Sequence, residues 1–269
     1  MTGTFSAPAT DATVRVALAE YDTSWQHPET SLGRAAICIS RAAATGARLV
    51  VLPEMCSTGF TMDPEEWAET PDGVAHTRLA ELAHAHDVWI IAGIATKSAG
   101  HHLNVAAVFD DHGQLVASYA KQRLFAYGEE HEHYTPGSAP VVVEIDGVRV
   151  APFVCYDLRF PELFRAVAPS VDLMVVIANW PSVRRAHWDA LLPARAIENL
   201  SYVVGVNRTG TGGGLSYDGG SAGYDPWGVS VAVKTAIASP SVVDVSAAHV
   251  RQLRDKYPFL SDLAAGVTF

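Results

Sequence analysis

The sequence predicts an α/β fold of two packed mixed β-sheets with helices outside, and three observations predict it. Apolar, β-branched runs alternate with stretches of helical period along the chain. Two strand pairs are split by tight turns, Asp110-Asp111-His112-Gly113 and Asp146-Gly147, which make antiparallel hairpins, while other strands are joined by helices, which make crossovers. At 269 residues with 49% hydrophobic content, the chain can bury one large core. No repeat, low-complexity tract or linker divides residues 12–269, so they read as one domain. Residues 1–11, small and polar, read as a flexible N-terminus.

The elements follow in order. Residues 13–20 make the first strand, 31–44 an amphipathic helix, and 48–54 a buried strand ending on Glu54. Residues 73–86 are helical in period, with Leu79, Leu82 and Ala83 on one face. Residues 88–96 form a strand, and 103–109 pair with 115–121 across the Asp-Gly-containing turn. Residues 141–145 and 148–155 form the second hairpin. Strands over 173–178 and 202–207 are joined by a helix over 185–200, which Pro193 should kink by removing a hydrogen bond.

Composition excludes several partners. A net charge of −10 disfavours nucleic acid and anionic membranes, both of which need basic patches. No apolar run reaches the roughly 18–20 residues that span a bilayer. Three cysteines, Cys38, Cys56 and Cys155, are too few and odd for a disulfide framework. With no charged-then-apolar leader pattern in residues 1–11, a cytoplasmic location is expected.

Three strands end on ionisable groups. Leu49-Val50-Val51-Leu52-Pro53 leads to Glu54, Val116-Ala117-Ser118-Tyr119-Ala120 leads to Lys121, and Val148 to Val154 leads to Cys155. An isolated cysteine after a β-branched run is commonly a core residue, but three such ends place a carboxylate, an amine and a thiol at sheet rims. These are the parts of acyl transfer: a base, an oxyanion donor and a nucleophile. Pro161-Glu162 opens a helix just after Cys155, so the thiol is expected to be exposed near backbone N–H groups and a helix N-terminus, conditions that favour thiolate.

The segments Leu52-Pro53-Glu54, Tyr119-Ala120-Lys121 with Leu124-Phe125, and Cys155-Tyr156-Asp157-Leu158-Arg159-Phe160-Pro161 resemble, in order and spacing, the three signatures of the nitrilase (carbon–nitrogen hydrolase) superfamily. The resemblance runs from about Val14 to Val243. It implies a four-layer αββα sandwich, a Glu54–Lys121–Cys155 triad, and no metal or cofactor. It also implies a second glutamate facing Lys121, matched by Glu130 with Glu129 the alternative. Composition alone reads 127–137 as a solvated acidic turn, and His131, Glu132 and His133 lack metal-site spacing. Tyr156 would lend a backbone N–H to the oxyanion, and Asn179, Trp180 and Arg184 would line the substrate pocket. Arg159 reads as structural, paired with a carboxylate, and Arg195 and Glu198 as holding structure.

Within the superfamily the resemblance is closest to the omega-amidase branch, on Glu130-His131, Ala178-Asn179-Trp180-Pro181 and His187-Trp188-Asp189. It implies a small-molecule amide substrate, the ω-amide of 2-oxoglutarate or 2-oxosuccinate, cleaved through a thioester to ammonia and a dicarboxylate. An N-carbamoyl amino-acid hydrolase or an aliphatic nitrilase would use the same triad. The remote substrate carboxylate needs a cation or several N–H donors, and a guanidinium suits it better than an ammonium, with Arg184 first and Arg208 second; the alternative for Arg184 is a solvated surface residue. Pro193 and the Gly210–Leu215 loop depart from the family pattern, the loop at the pocket edge. The resemblance also implies a homodimer or higher homo-oligomer through 161–167 and 185–199, which carry the apolar residues Leu163, Phe164, Trp188, Leu191 and Leu192, the alternative being that these pack only on their own sheet.

Overall fold

A computed structural model of the chain describes residues 12–235 and 239–265, so the segment 1–11 read as flexible lies outside the described residues. The first half contains β1 (Thr13–Leu18), α1 (Pro28–Ala43), β2 (Leu49–Val51), α2 (Pro64–Trp67), α3 (Val74–His86), β3 (Trp89–Ser98), β4 (His101–Phe109), β5 (Leu115–Ala120) and α4 (Glu130–His133). The second contains β6 (Val143–Ile145), β7 (Val148–Val154), α5 (Pro161–Val167), β8 (Leu173–Ala178), α6 (Arg185–Asn199) and β9 (Tyr202–Asn207). It continues with β10 (Thr209–Gly212), β11 (Leu215–Asp218), β12 (Ala222–Tyr224), β13 (Val233–Lys234), β14 (Ser241–Ser246) and α7 (Ala247–Lys256).

Seven strands form one mixed sheet in the order β13-β14-β1-β2-β3-β4-β5, and five form a second in the order β12-β9-β8-β7-β6. Each sheet has a parallel centre, β1-β2-β3 and β7-β8-β9, flanked by antiparallel strands. The two-residue period of β2 divides its side chains between layers: Leu49 and Val51 face the second sheet, while Val50 faces α1 and α3. β8 and β9 are buried on both faces, which explains their unbroken apolar sequence. The second sheet is covered outside by α5 and α6, giving the four-layer αββα sandwich. Among the described residues no helix is long and apolar enough to cross a membrane.

Packing corrects the reading of the outer helices. Leu163, Phe164, Trp188 and Leu192 are buried within the chain, and Phe164 stacks on Phe153 of β7 at 4.0 Å between ring centroids. Burial of each such side chain stabilises the fold by about 1.5–3 kcal/mol, so they are not surface for a partner. The exposed apolar side chain on α6 is Ile197, with Leu191 half-buried. The helix runs from Arg185 to Asn199 with Pro193 inside it.

Other differences are local. Residues 127–137 are not a plain loop: a 3-10 turn over Ala126–Gly128 leads into α4. The β10–β11 hairpin and the closing β14–α7 unit also escape the sequence reading, although Ser246 caps α7 by accepting a hydrogen bond from the His249 N–H at 3.2 Å.

β2 is shorter than expected because the chain leaves the sheet at Pro53, which has no N–H to donate. Residues 54 and 55 then arch over Gly93 of β3. The Gly93 N–H donates to Pro53 O at 3.1 Å, and the Cys56 N–H donates to Gly93 O at 2.7 Å. A Cβ at Gly93 would run into the backbone of Glu54 and Met55. Gly93→Ala is therefore expected to lower stability by about 1–3 kcal/mol, as overpacking does, and to cut turnover by displacing Glu54. Thermal melting and initial rates measured on the same preparation check this.

Candidate active site

The C-terminal ends of β2 and β5 in the first sheet face those of β7 and β8 in the second, and a cluster of polar side chains meets there. Glu54 and Lys121 are buried, and the Lys121 ammonium donates to Glu54 Oε1 at 2.9 Å. Glu130, carried by α4, is also buried and lies 3.0 Å (Oε1) and 2.8 Å (Oε2) from the same ammonium. Its neighbour Glu129 is exposed, so geometry separates the two candidates in favour of Glu130. Glu130 is anchored by the Phe125 N–H, which donates to Oε2 at 2.7 Å. Asn179, ending β8, grips Glu54 from the second sheet: its N–H donates to Oε2 at 2.8 Å and its Nδ2 to the Glu54 backbone carbonyl at 2.7 Å. Cys155 Sγ lies 4.0 Å from Asn179 O.

Cys155 follows β7 directly and adopts φ 45°, a left-handed conformation that costs energy for a residue with a Cβ. What holds it is Asp157, whose buried carboxylate accepts hydrogen bonds from the Val154 N–H (3.0 Å), the Arg123 N–H (2.9 Å) and the Tyr119 hydroxyl (2.8 Å). The following 3-10 turn, Cys155–Arg159, is closed by Arg195, which donates twice to Leu158 O and pairs with Glu198 at 2.9 Å. This turn separates the thiol from α5, so the expected helix N-terminus beside Cys155 is replaced by the first N–H groups of the 3-10 turn, that of Tyr156 among them. The thiol is half-buried rather than exposed.

A cavity of about 540 Å³ opens over Cys155 and Lys121. Tyr156, Asn179, Trp180 and Arg184 line it, as the sequence suggests, and so do residues it does not single out, including Trp25, Phe60, Phe125 and Tyr217. The glycine-rich segment after β10 forms the hairpin that brings Gly212, Gly213 and Tyr217 to the cavity edge. Arg159 has no carboxylate partner among the described residues, so it is not the carboxylate-paired structural arginine expected. It lines the cavity with its guanidinium 4.8 Å from the Trp180 ring and 3.1 Å from His187 Nδ1. Arg184 lies over Phe125 at 5.2 Å. Arg208, by contrast, is wholly buried outside the cavity lining, bound to Asp22 at 2.9 Å and stacked on Tyr217 at 4.5 Å. His131, Glu132 and His133 are exposed on α4. Asn104 is a further miss. Its Nδ2 donates to both Glu54 and Glu130, and its sequence signal is one polar residue in the buried apolar run of β4.

Residues 15–255 match the model of the carbon–nitrogen hydrolase family. The chain belongs to that family. This carbon–nitrogen hydrolase is 38% identical to omega-amidase YafV of Escherichia coli K12 over 220 residues, covering 81% of this chain and 85% of that one. It is 30% identical to 2-oxoglutaramate amidase of Bacillus subtilis 168, covering 91% and 95%. Among solved structures, it superposes with TM-score 0.86 and 32% identity on a CN-hydrolase superfamily protein of Xanthomonas campestris that carries an arsenic adduct in its active site, covering 96% and 98%. An amidase of Nesterenkonia sp. AN1 in complex with butyramide matches with TM-score 0.78 and 27% identity, covering 92% and 96%.

In this carbon–nitrogen hydrolase, burial sets the protonation states. Burial raises the Glu54 carboxyl, but the Lys121 charge and the donors Lys121, Asn104 and Asn179 outweigh it and hold the group below its ordinary range. Burial lowers the Lys121 ammonium, yet the charges of Glu130 and Glu54 overcome this and hold it well above its usual range. Burial and the Glu54 charge push the Cys155 thiol well up, against the pull of Lys121. The resting pair is thus carboxylate and thiol, not the thiolate that an exposed elbow would favour.

Burial also lifts Asp157 to about 6, against its hydrogen bonds from Val154, Arg123 and Tyr119 and the Lys121 charge. The unfolded value is 3.8. Between these values the folded state holds one proton more than the unfolded chain, so this group's contribution to stability falls as pH rises from 3.8 to about 6 and is then constant. The stability–pH slope of Asp157→Asn over that window should differ from wild type by up to one proton, measured by urea unfolding at pH 4, 5, 6 and 7.

Proposed function

We propose that this carbon–nitrogen hydrolase is an omega-amidase that cleaves the terminal amide of a short 2-oxo dicarboxylic monoamide, 2-oxoglutaramate or 2-oxosuccinamate. The observation that carries the reading is the pair of guanidiniums, Arg159 and Arg184, in the same cavity as Cys155, neither with a carboxylate partner among the described residues. On a chain of net charge −10, two such groups beside a nucleophile suit an anionic substrate. The named activities of the Escherichia coli and Bacillus subtilis relatives support the same substrate class.

The chemistry follows from the residues. Glu54 takes the Cys155 proton as sulfur attacks the amide carbon, and the carbonyl π pair moves onto oxygen. Lys121 and the Tyr156 N–H stabilise that oxyanion. Collapse breaks the C–N bond, and Glu54 returns the proton to the departing nitrogen, which leaves as ammonia. Water then attacks the thioester, giving its proton to Glu54. The C–S bond breaks, and Glu54 reprotonates the sulfur as the dicarboxylate leaves. Glu130 keeps Lys121 charged and in place.

Ammonia release from 2-oxoglutaramate, an N-carbamoyl amino acid and an aliphatic nitrile tests the class. The ω-amide should give the highest kcat/KM, and preference for either competitor would overturn the assignment. Cys155→Ala should abolish turnover, whereas Glu130→Gln should be milder than the ~10²- to 10³-fold loss typical of removing an oxyanion donor such as Lys121. Mass spectrometry should find an acyl adduct on the Cys155 peptide of wild type.

Specificity has its own test. Arg184→Ala should raise KM for 2-oxoglutaramate about 10- to 100-fold, the value of a charge-assisted hydrogen bond, and spare a neutral short amide. Steady-state kinetics on both substrates checks this, with Arg159→Ala as the comparison that shows which guanidinium takes the carboxylate.

A further inference from the structure

The buried run of β4, Asn104–Phe109, carries one polar side chain, Asn104, which touches all three charged residues of the site. Its carbonyl accepts the Lys121 N–H at 2.9 Å. Its Nδ2 donates to Glu54 Oε1 at 2.7 Å and to Glu130 Oε1 at 2.8 Å. These are the same two oxygens that the Lys121 ammonium reaches at 2.9 and 3.0 Å. The orientation of the amide is forced, because the reverse placement would set Oδ1 against two carboxylate oxygens. In the orientation adopted, Oδ1 is buried with no partner among the described residues.

The two oxygens of Glu54 are therefore unlike. Oε1 receives two short donors, which occupy both of its lone pairs. Oε2 receives one short donor, the Asn179 N–H at 2.8 Å, with the Asn179 side chain at a weak 3.4 Å. One lone pair of Oε2 has no short donor, and it belongs to the carboxylate oxygen gripped from the sheet that carries Cys155.

We propose that Asn104 is a positioning residue that, with Lys121, occupies Glu54 Oε1 and so directs the Cys155 proton to Oε2. The proton passes from Sγ to Oε2, and the sulfur electron pair forms the bond to the substrate carbon. The same amide spaces Glu54 from Glu130, each carboxylate meeting its own N–H. The inference rests on the roles of Glu54 and Cys155 given above and is independent of which amide is the substrate.

The test is Asn104→Leu, which keeps the volume and removes both donors, with rates expressed per iodoacetamide-titratable active site. The expected result is a ~10- to 100-fold fall in kcat with little change in KM. The acid limb of the kcat/KM profile should also move to higher pH, since the charged form of Glu54 has lost a donor. A merely structural role would reduce the number of active sites and leave both kcat per site and the acid limb unchanged, which would overturn the proposal. If Asn104→Leu does not fold, ¹⁵N-asparagine spectra of the intact enzyme decide. One side-chain amide should have both protons shifted downfield, one moving back in Glu54→Gln and the other in Glu130→Gln. An amide spectrum indifferent to both variants would overturn it. Full turnover in Glu54→Gln would instead remove Glu54 as the base and the proposed mechanism with it, whereas an inactive Glu54→Gln beside an unaltered Asn104→Leu removes only the role of Asn104.

Discussion

One buried ammonium governs the centre of this molecule. Lys121 sits wholly out of water between Glu54 and Glu130. Moving ions from water into a protein interior costs several kcal/mol each, and only close geometry with further hydrogen bonds offsets it. The surroundings supply those bonds: Asn104 and Asn179 to Glu54, and the Phe125 N–H to Glu130. Removal of any one charge leaves the others uncompensated, so the cluster stands as a unit. It also explains why the thiol rests protonated, since a resting thiolate would place one more negative charge in the same dry space.

Around this cluster the fold acts as a positioning device. The carboxylate arches over Gly93 and the ammonium ends β5, both in the first sheet. Cys155 and Asn179 lie at the ends of β7 and β8 in the second. Backbone strain falls on Cys155, whose left-handed φ aims the side chain out of the strand direction. Asp157 and Arg195 hold that strain in place with bonds to residues on either side of the turn.

Much of this is legible in the sequence. Period-two apolar runs give the strands, and ionisable residues just past their ends give Glu54, Lys121 and Cys155. The β4–β5 and β6–β7 hairpins follow from the turns Asp110-Asp111-His112-Gly113 and Asp146-Gly147. What is not legible depends on distant contacts. α4 is a four-residue helix tied to Lys121 through Glu130, and no local pattern exposes it. The β10–β11 hairpin consists mostly of glycine, serine and threonine, so its strand character comes from pairing and not from composition. Leu163, Phe164, Trp188 and Leu192 lie on helices whose inner and outer faces are both partly apolar, and only packing shows which side they serve. In sequence Arg159 is indistinguishable from a structural arginine, because its neighbours His187 and Trp180 come from distant segments.

The division of the site between two sheets carries a consequence for how the molecule comes into being. Glu54 and Asn179 are joined across 125 positions of chain, and neither sheet alone holds both Glu54 and Cys155. Such long-range contacts form late, after much loop entropy has been spent. A nascent or refolding chain with both sheets paired but not yet docked has native secondary structure and an unarmed thiol. The constellation of Glu54, Lys121 and Cys155 is therefore absent from any species in which the inter-sheet core is still open.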